Sequence, residues 1–225
     1  MDDDFRATAE ELNKYLRARR KDSLLKLLKP FFSSEKTTEI FLDDAFKISG
    51  ARGMLLRLDW YIELAEIVET LRPDRPSLRL IFLLATAESI MRSRIALNEG
   101  QIIAQQKGSW EVIKGFFQGL SDENKIQLFH GIRRPLGDEK GVEFGSVEKV
   151  IRILWQARND AAHGNDFWTF QLPDSSMAVN GSLITEGRMS DKETFFSLDI
   201  SITYDNIQRI VIETALAHIR TIMSV

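Results

Sequence analysis

The chain has no cysteine among its 225 residues. Disulfide frameworks, zinc–thiolate centres, iron–sulfur clusters and cysteine nucleophiles are excluded together, and the absence fits a reducing compartment. Long apolar runs are lacking too. The longest, Leu80 to Ala85, falls far short of the about 18 residues a membrane span needs. The opening MDDDF has no basic start leading into an apolar stretch, so it does not read as a secretory signal. A cytoplasmic protein without membrane association is the expectation. Histidine is scarce: there are three, His130, His163 and His218. No two lie near each other in sequence, so no metal site is expected and no cofactor is implied.

The formal net charge is −3. That argues against a protein that coats nucleic acid through a broad basic surface, while leaving room for a local basic site. The arginines are clustered. Arg17, Arg19 and Arg20 stand with Lys21; Arg72, Arg75 and Arg79 follow; then come Arg92 with Arg94 and Arg133 with Arg134. Each cluster reads as a solvated helix face.

Apolar spacing is mostly helical. Phe5, Ala9, Leu12 and Leu16 recur at three and four, which predicts a first helix. A short second helix, about Ser23 to Leu28, stops before Pro30. Further helices are expected at Glu35 to Ile48, ending near Gly50, and at Met54 to Leu71, closed by Pro73 and Pro76. Ser77 to Leu97 is apolar nearly all round, which predicts a central, buried helix. Trp110 to Leu120 and Asp122 to Ile132 read as shorter helices, and Pro135 to Gly145 as a loop rich in glycine and charge. Ser146 is a good N-cap for a helix running through Val150, Leu154 and Ala157 to about His163.

The pattern then changes. Phe167 to Leu172, Met177 to Val179, Ser182 to Thr185 and Phe195 to Ile202 read as strands, with Asn180-Gly181 as a hairpin turn. A last helix starts near Thr203 and carries Ile207, Ile210, Val211, Thr214 and His218 on one face. The expected fold class is mainly α: a helical bundle over residues 76–225, a helical extension over residues 1–72, and a small β insertion at about 166–202 before the last helix.

Chemistry concentrates in the run RNDAAHG, Arg158 to Gly164. A bare Arg-x4-His arises readily by chance among 18 arginines and three histidines. Here Asn159 follows the arginine, Gly164 follows the histidine, and the amphipathic stretch VEKVIRILWQA leads in. With this context and the surrounding order of helices, the chain over about Pro76 to Val225 resembles the HEPN-domain family. Residues 1–72 and the β insertion lie outside the resemblance.

On a regular helix residues five apart point about 140° away from each other. Arg158 and His163 can converge if the helix unwinds at His163, which Gly164 after it permits. A helix carboxyl end favours protonated imidazole, so a histidine there can shuttle a proton near neutral pH.

The resemblance implies metal-independent RNA cleavage by 2′-hydroxyl attack, in the manner of a toxin or defence effector. His163 would act as general base or acid. Arg158 would hold the phosphate oxygens, and Asn159 would orient the histidine or a phosphate oxygen. Asp160 stands beside these as a supporting residue. The resemblance also implies a homodimer in which two motifs meet, with RNA as substrate and an antitoxin or nucleotidyltransferase as a further partner. Glu88 is singled out because a lone carboxylate inside LIFLLATAESIM is costly to bury unpaired. It is expected against Arg158, the other reading being a local pair with Arg92.

His130, His218, Trp155 and Trp168 are expected to be structural. The alternatives to a nuclease are a non-catalytic HEPN-like module that binds RNA or protein as a scaffold, and a helical interaction protein with no nucleic-acid role.

Overall fold

The computed structural model describes residues 20–72, 77–136, 139–143, 145–163, 172–173, 183–188 and 195–224. The first expected helix, Arg17, Arg19, Arg75, the proline pair at 73 and 76, Trp168, and the turn at Asn180-Gly181 lie outside them. So do the strand at Met177 to Val179 and all of the strand at Phe167 to Leu172 except Leu172, which belongs to no strand.

The described chain is mainly helical with a small antiparallel sheet. Helix α1 (20–28) places Leu24 and Leu28 in the core and tightens into a 3-10 turn at Lys29–Phe31, where Pro30 has no N–H to give. Helix α2 (Glu35–Lys47) starts from a capping box formed by Ser34 and Thr37. One extended residue, Ile48, separates it from α3 (Ser49–Leu71).

Helix α3 begins earlier than its sequence suggests. Gly50 reads as a terminator, yet it lies within the first turn of α3. A Cβ at Gly50 would fall 2.6 Å from Leu97 Cδ1, so the missing side chain lets the end of the next long helix lie close.

That helix, α4 (Ser77–Glu99), is the centre of the molecule. Its Leu80, Leu83, Leu84, Ala87 and Ile90 are buried. It packs against α3, α5 (Gln101–Gln106), α6 (Ser109–Phe117), α8 (Val147–His163) and α9 (Tyr204–Met223). Helix α7 (Asp122–Gly131) is capped by Ser121. Helix α9 is capped by Thr203, which exchanges hydrogen bonds with Asn206. One hydrophobic cluster runs from Leu24 to Ile219 and takes residues from both sides of the 73–76 segment.

The sheet corrects one expectation. Pro135 to Gly145 is not simply a loop: β1 (Ile132–Leu136) and β2 (Glu139–Glu143) form an antiparallel hairpin. The four strands run in the order β2-β1-β4-β3, with β3 (Leu183–Arg188) and β4 (Phe195–Ile200). The sheet therefore joins segments from before and after α8.

Arg133-Arg134-Pro135 has no alternation to announce a strand. Its pairing is set from afar, by Ile132 opposite Ile200 and Arg133 opposite Asp199. The β1–β2 register shifts between Arg134 and Leu136, and such an irregularity is where a sheet tolerates proline.

Candidate functional site

Helix α8 buries Val150, Ile151, Ile153, Leu154 and Ala157, the face its amphipathic spacing marks. Its packing on α4 fixes the rotation that brings Arg158 to Glu88. Arg158 Nη2 donates to Glu88 Oε2 at 3.2 Å. The expected pairing is present, and so is the local alternative: Arg92 Nε and Nη2 donate to Glu88 Oε1 at 3.1 and 2.7 Å. Ser109 Oγ, at the start of α6, donates to Glu88 Oε2 at 2.8 Å.

The Glu88 carboxylate thus takes four hydrogen bonds, two on each oxygen, which fills its acceptor positions. Arg92 extends the network by donating from Nη1 to the carbonyls of Ala104 and Lys107 at 2.5 and 3.1 Å. It thereby satisfies free carbonyls at the end of α5.

Arg158 is less fully used. Its Nη1 donates to Asn159 Oδ1 at 2.9 Å. Asn159 Oδ1 therefore accepts from Arg158, while the expected contact of Asn159 with His163 lies outside the described residues. Arg158 Nε is buried and has no hydrogen-bond partner among the described residues.

Helix α8 stays helical through His163, so it does not unwind before that residue. The side chains of Asp160 and His163, and all of Gly164, lie outside the described residues. The structure brings Glu88, Arg158 and Asn159 together; the approach of His163 to Arg158 is not among the described geometry.

A cavity of about 380 Å³ opens beside this cluster. Arg57 and Tyr61 of α3 line one wall, and Gln101, Ala104 and Gln105 of α5 line another. Its floor is a face of α4 carrying Ala85, Glu88, Ser89, Arg92 and Ser93, with Arg158 at the edge. Two guanidiniums, Arg92 and Arg158, share the Glu88 carboxylate and a third, Arg57, lines the same cavity, leaving an excess of positive charge. Arg57 and Tyr61 carry no signal beyond their i, i+4 spacing on a helix face, and sequence reasoning missed them. It also missed Ser109, Gln101 and Gln105.

The remaining singled-out residues are structural or peripheral. His218 is 2% exposed. Its Nε2 lies 2.8 Å from Phe116 O, and its Nδ1 lies 2.6 Å from Arg94 Nη1. A carbonyl only accepts, so Nε2 carries the proton and Nδ1 accepts from Arg94. Burial pushes the His218 pKa below the ordinary imidazole value and the Arg94 charge adds to this, while the Phe116 carbonyl opposes it.

Trp155 is half-buried and packs on Trp110 at 5.6 Å between ring centroids. His130 is exposed near the end of α7. The arginine clusters are less solvated than expected. Arg79 lies over the Tyr204 ring at 3.4 Å and pairs with Glu69; Arg20 reaches Asp59 and Glu63; Arg92 and Arg94 are bound as described above.

No family model, no curated protein and no solved structure matches the chain. Among the described residues, no group of three or more potential ligands is placed to hold a metal, and no helix is long and apolar enough to cross a membrane.

Proposed function

We propose that the chain is a HEPN-type, metal-independent endoribonuclease acting as a homodimer, with the character of a toxin or defence effector. The observation that carries this reading is Arg158. A carboxylate that takes four hydrogen bonds and a neighbouring amide hold its guanidinium in the lining of a basic cavity, and its Nε–H has no partner among the described residues. Five residues on, the same helix ends at a histidine.

In this reaction the ribose 2′-oxygen attacks the adjacent phosphorus as its proton leaves to a general base. The bond from phosphorus to the 5′-oxygen breaks, and that oxygen takes a proton from a general acid. The products are a 2′,3′-cyclic phosphate and a 5′-hydroxyl. His163 supplies the acid or base function, and the partner's motif supplies the other. Arg158 neutralises the charge that builds on the phosphorane oxygens. Glu88 has no acceptor position left for a substrate proton, so it acts as a positioning residue that sets the Arg158 guanidinium. Asn159 does the same from the other side.

The test is incubation of the purified protein with matched single-stranded RNA and DNA in the presence of a chelator. RNA is cut and DNA survives, because DNA lacks the attacking hydroxyl. Cutting that requires a divalent ion, or cutting of both polymers, overturns the reading. Light scattering gives a dimer at micromolar concentration; a strict monomer contradicts the paired motifs.

A further inference from the structure

We propose that the cavity between α3, α4 and α5 is a nucleotide subsite of the same active centre, seating one phosphate and base of a single-stranded RNA that flank the cleaved bond. The proposal rests on the nuclease reading and assigns two of the subsite's residues, Arg57 and Tyr61, to the N-terminal segment that the HEPN resemblance leaves unexplained.

The hollow has a local cause. Ala85, Ser89 and Ser93 recur every four residues along α4, so they stack on one face. All three are small, and where longer side chains would meet α3 they leave space of about 380 Å³. That lies within the roughly 300–1,000 Å³ of small-molecule sites. Ala104, also small, continues the gap on the α5 side.

The lining suits a nucleotide. Arg57 is exposed and makes no ion pair among the described residues; its Nη1 donates to Ser93 Oγ at 2.9 Å. This steadies the guanidinium without cancelling its charge. With Arg92 and Arg158, which pair with Glu88, three cations line a cavity that carries a single carboxylate. A planar guanidinium fork matches phosphate oxygens. Tyr61, one turn beyond Arg57, offers an aromatic face, and it is itself stacked on Trp60 at 5.6 Å and 22°. Base stacking on such faces is how single strands are commonly held. Gln101 and Gln105, one turn apart on α5, are exposed and carry no hydrogen bond shown among the described residues. Their amides offer donors and acceptors to a base edge.

Arg158 lines the same cavity. A strand with one phosphate at Arg57 therefore runs toward the guanidinium assigned to the reacting phosphate. Double-stranded RNA would present its bases paired and stacked inside the helix, so the subsite selects unpaired RNA.

The test uses a short, labelled 2′-fluoro RNA of mixed sequence, which has no attacking hydroxyl and cannot be cut. Fluorescence anisotropy measures its affinity for the full chain across a salt series. Arg57→Ala weakens binding about tenfold and flattens the slope of log affinity against log salt by about 0.7, the loss of one phosphate contact on a single strand. Tyr61→Ala weakens binding roughly tenfold, whereas Tyr61→Phe keeps it. Ser89→Leu fills the floor and blocks binding by a different route, with melting curves checking that each variant folds.

On cleavable RNA, the Arg57→Ala loss falls in KM more than in kcat. Binding that depends on Arg57 and Tyr61 supports the subsite even if no RNA is cut, in which case only the nuclease reading fails. Cleavage at wild-type KM by Arg57→Ala and Tyr61→Ala overturns the subsite and leaves the nuclease standing. A wild-type chain that does not bind the 2′-fluoro RNA also overturns it.

Discussion

Two of the arginines that meet buried or half-buried partners, Arg94 and Arg158, are placed differently. Arg94 of α4 donates to His218, whose other nitrogen is fixed on the Phe116 carbonyl, so both ring nitrogens are committed inside the core. Arg158 of α8 shares Glu88 with Arg92 and Ser109, keeps one buried N–H without a partner among the described residues, and lines a cavity. The first arrangement links α4, α6 and α9. The second ties α8 to α4 and α6 through one carboxylate. Both clusters line a cavity; the difference is that the two nitrogens of the imidazole are both spent within the protein, whereas Arg158 stands with Arg92 and Arg57 in a lining that carries three cations and one carboxylate.

The largest effects separate the two clusters by activity. His163→Ala is expected to lower RNA cleavage by about 10²–10⁴-fold, and Arg158→Ala by about 10²–10³-fold, as loss of a preorganised charge does. His163→Ala keeps a melting temperature close to that of the unchanged chain, and Arg158→Ala loses less stability than Glu88→Ala because Arg92 and Ser109 still bind the carboxylate. Arg94→Ala does the reverse, lowering the melting temperature with little change in cleavage. If Arg94→Ala costs as much activity as Arg158→Ala at equal folded fraction, the distinction between the clusters collapses.

Glu88→Ala is next. It removes the shared acceptor of two arginines and a serine. The side chain is 16% exposed, so the cost lies at or below the low end for breaking a buried pair, about 2–3 kcal/mol. Denaturant titration measures it. Glu88→Gln keeps an acceptor and recovers part of the stability. A loss below about 0.5 kcal/mol for Glu88→Ala would mean that the network holds nothing in place.

The Arg94 cluster gives a pH signature. The folded state holds His218 neutral, with its pKa lowered by burial first and by Arg94 second. Above the ordinary imidazole value neither state binds the proton, and His218 contributes no pH dependence. As the pH falls below that value, the unfolded chain takes up a proton that the folded chain refuses. Stability therefore drops until the lowered folded pKa is reached. His218→Gln can keep a donor for Phe116 and an acceptor for Arg94 but cannot titrate. Denaturation at about pH 7.5 and pH 5.5 should show a smaller loss in this variant than in the unchanged chain; equal losses would place the titrating group elsewhere.

The smallest expected effect is Gly119→Ala. The added Cβ would sit 3.0 Å from His218 Nε2 and 3.4 Å from Phe116 O, crowding the hydrogen bond between them. A cost of about 1 kcal/mol follows, visible as a small fall in the denaturation midpoint, with cleavage unaffected.

Much of this was legible in the sequence where local pattern and burial agree. The apolar density of Ser77 to Leu97 marked the central helix, and Ser146 and Thr203 marked the starts of α8 and α9. Glu88 was identifiable because a carboxylate in an apolar helix must find a partner, even one 70 residues away. The hairpin over Ile132 to Glu143 was not legible, since its position depends on β4, far along the chain. Gly50 was misread because a close helix approach and a helix end use glycine alike. The cavity was invisible for a related reason. Ala85, Ser89 and Ser93 look like ordinary helix residues, and only the packing of α3 and α5 turns their small size into a space with Arg57 and Tyr61 on its rim.

The most direct measurement is the chemistry of the cut ends. Single-stranded RNA incubated with the chain in chelator should yield fragments with 2′,3′-cyclic phosphate and 5′-hydroxyl termini, and Arg158→Ala should remove that product while Arg94→Ala retains it. Fragments bearing 5′-phosphates, formed only with a divalent ion and unchanged by Arg158→Ala, would contradict the account.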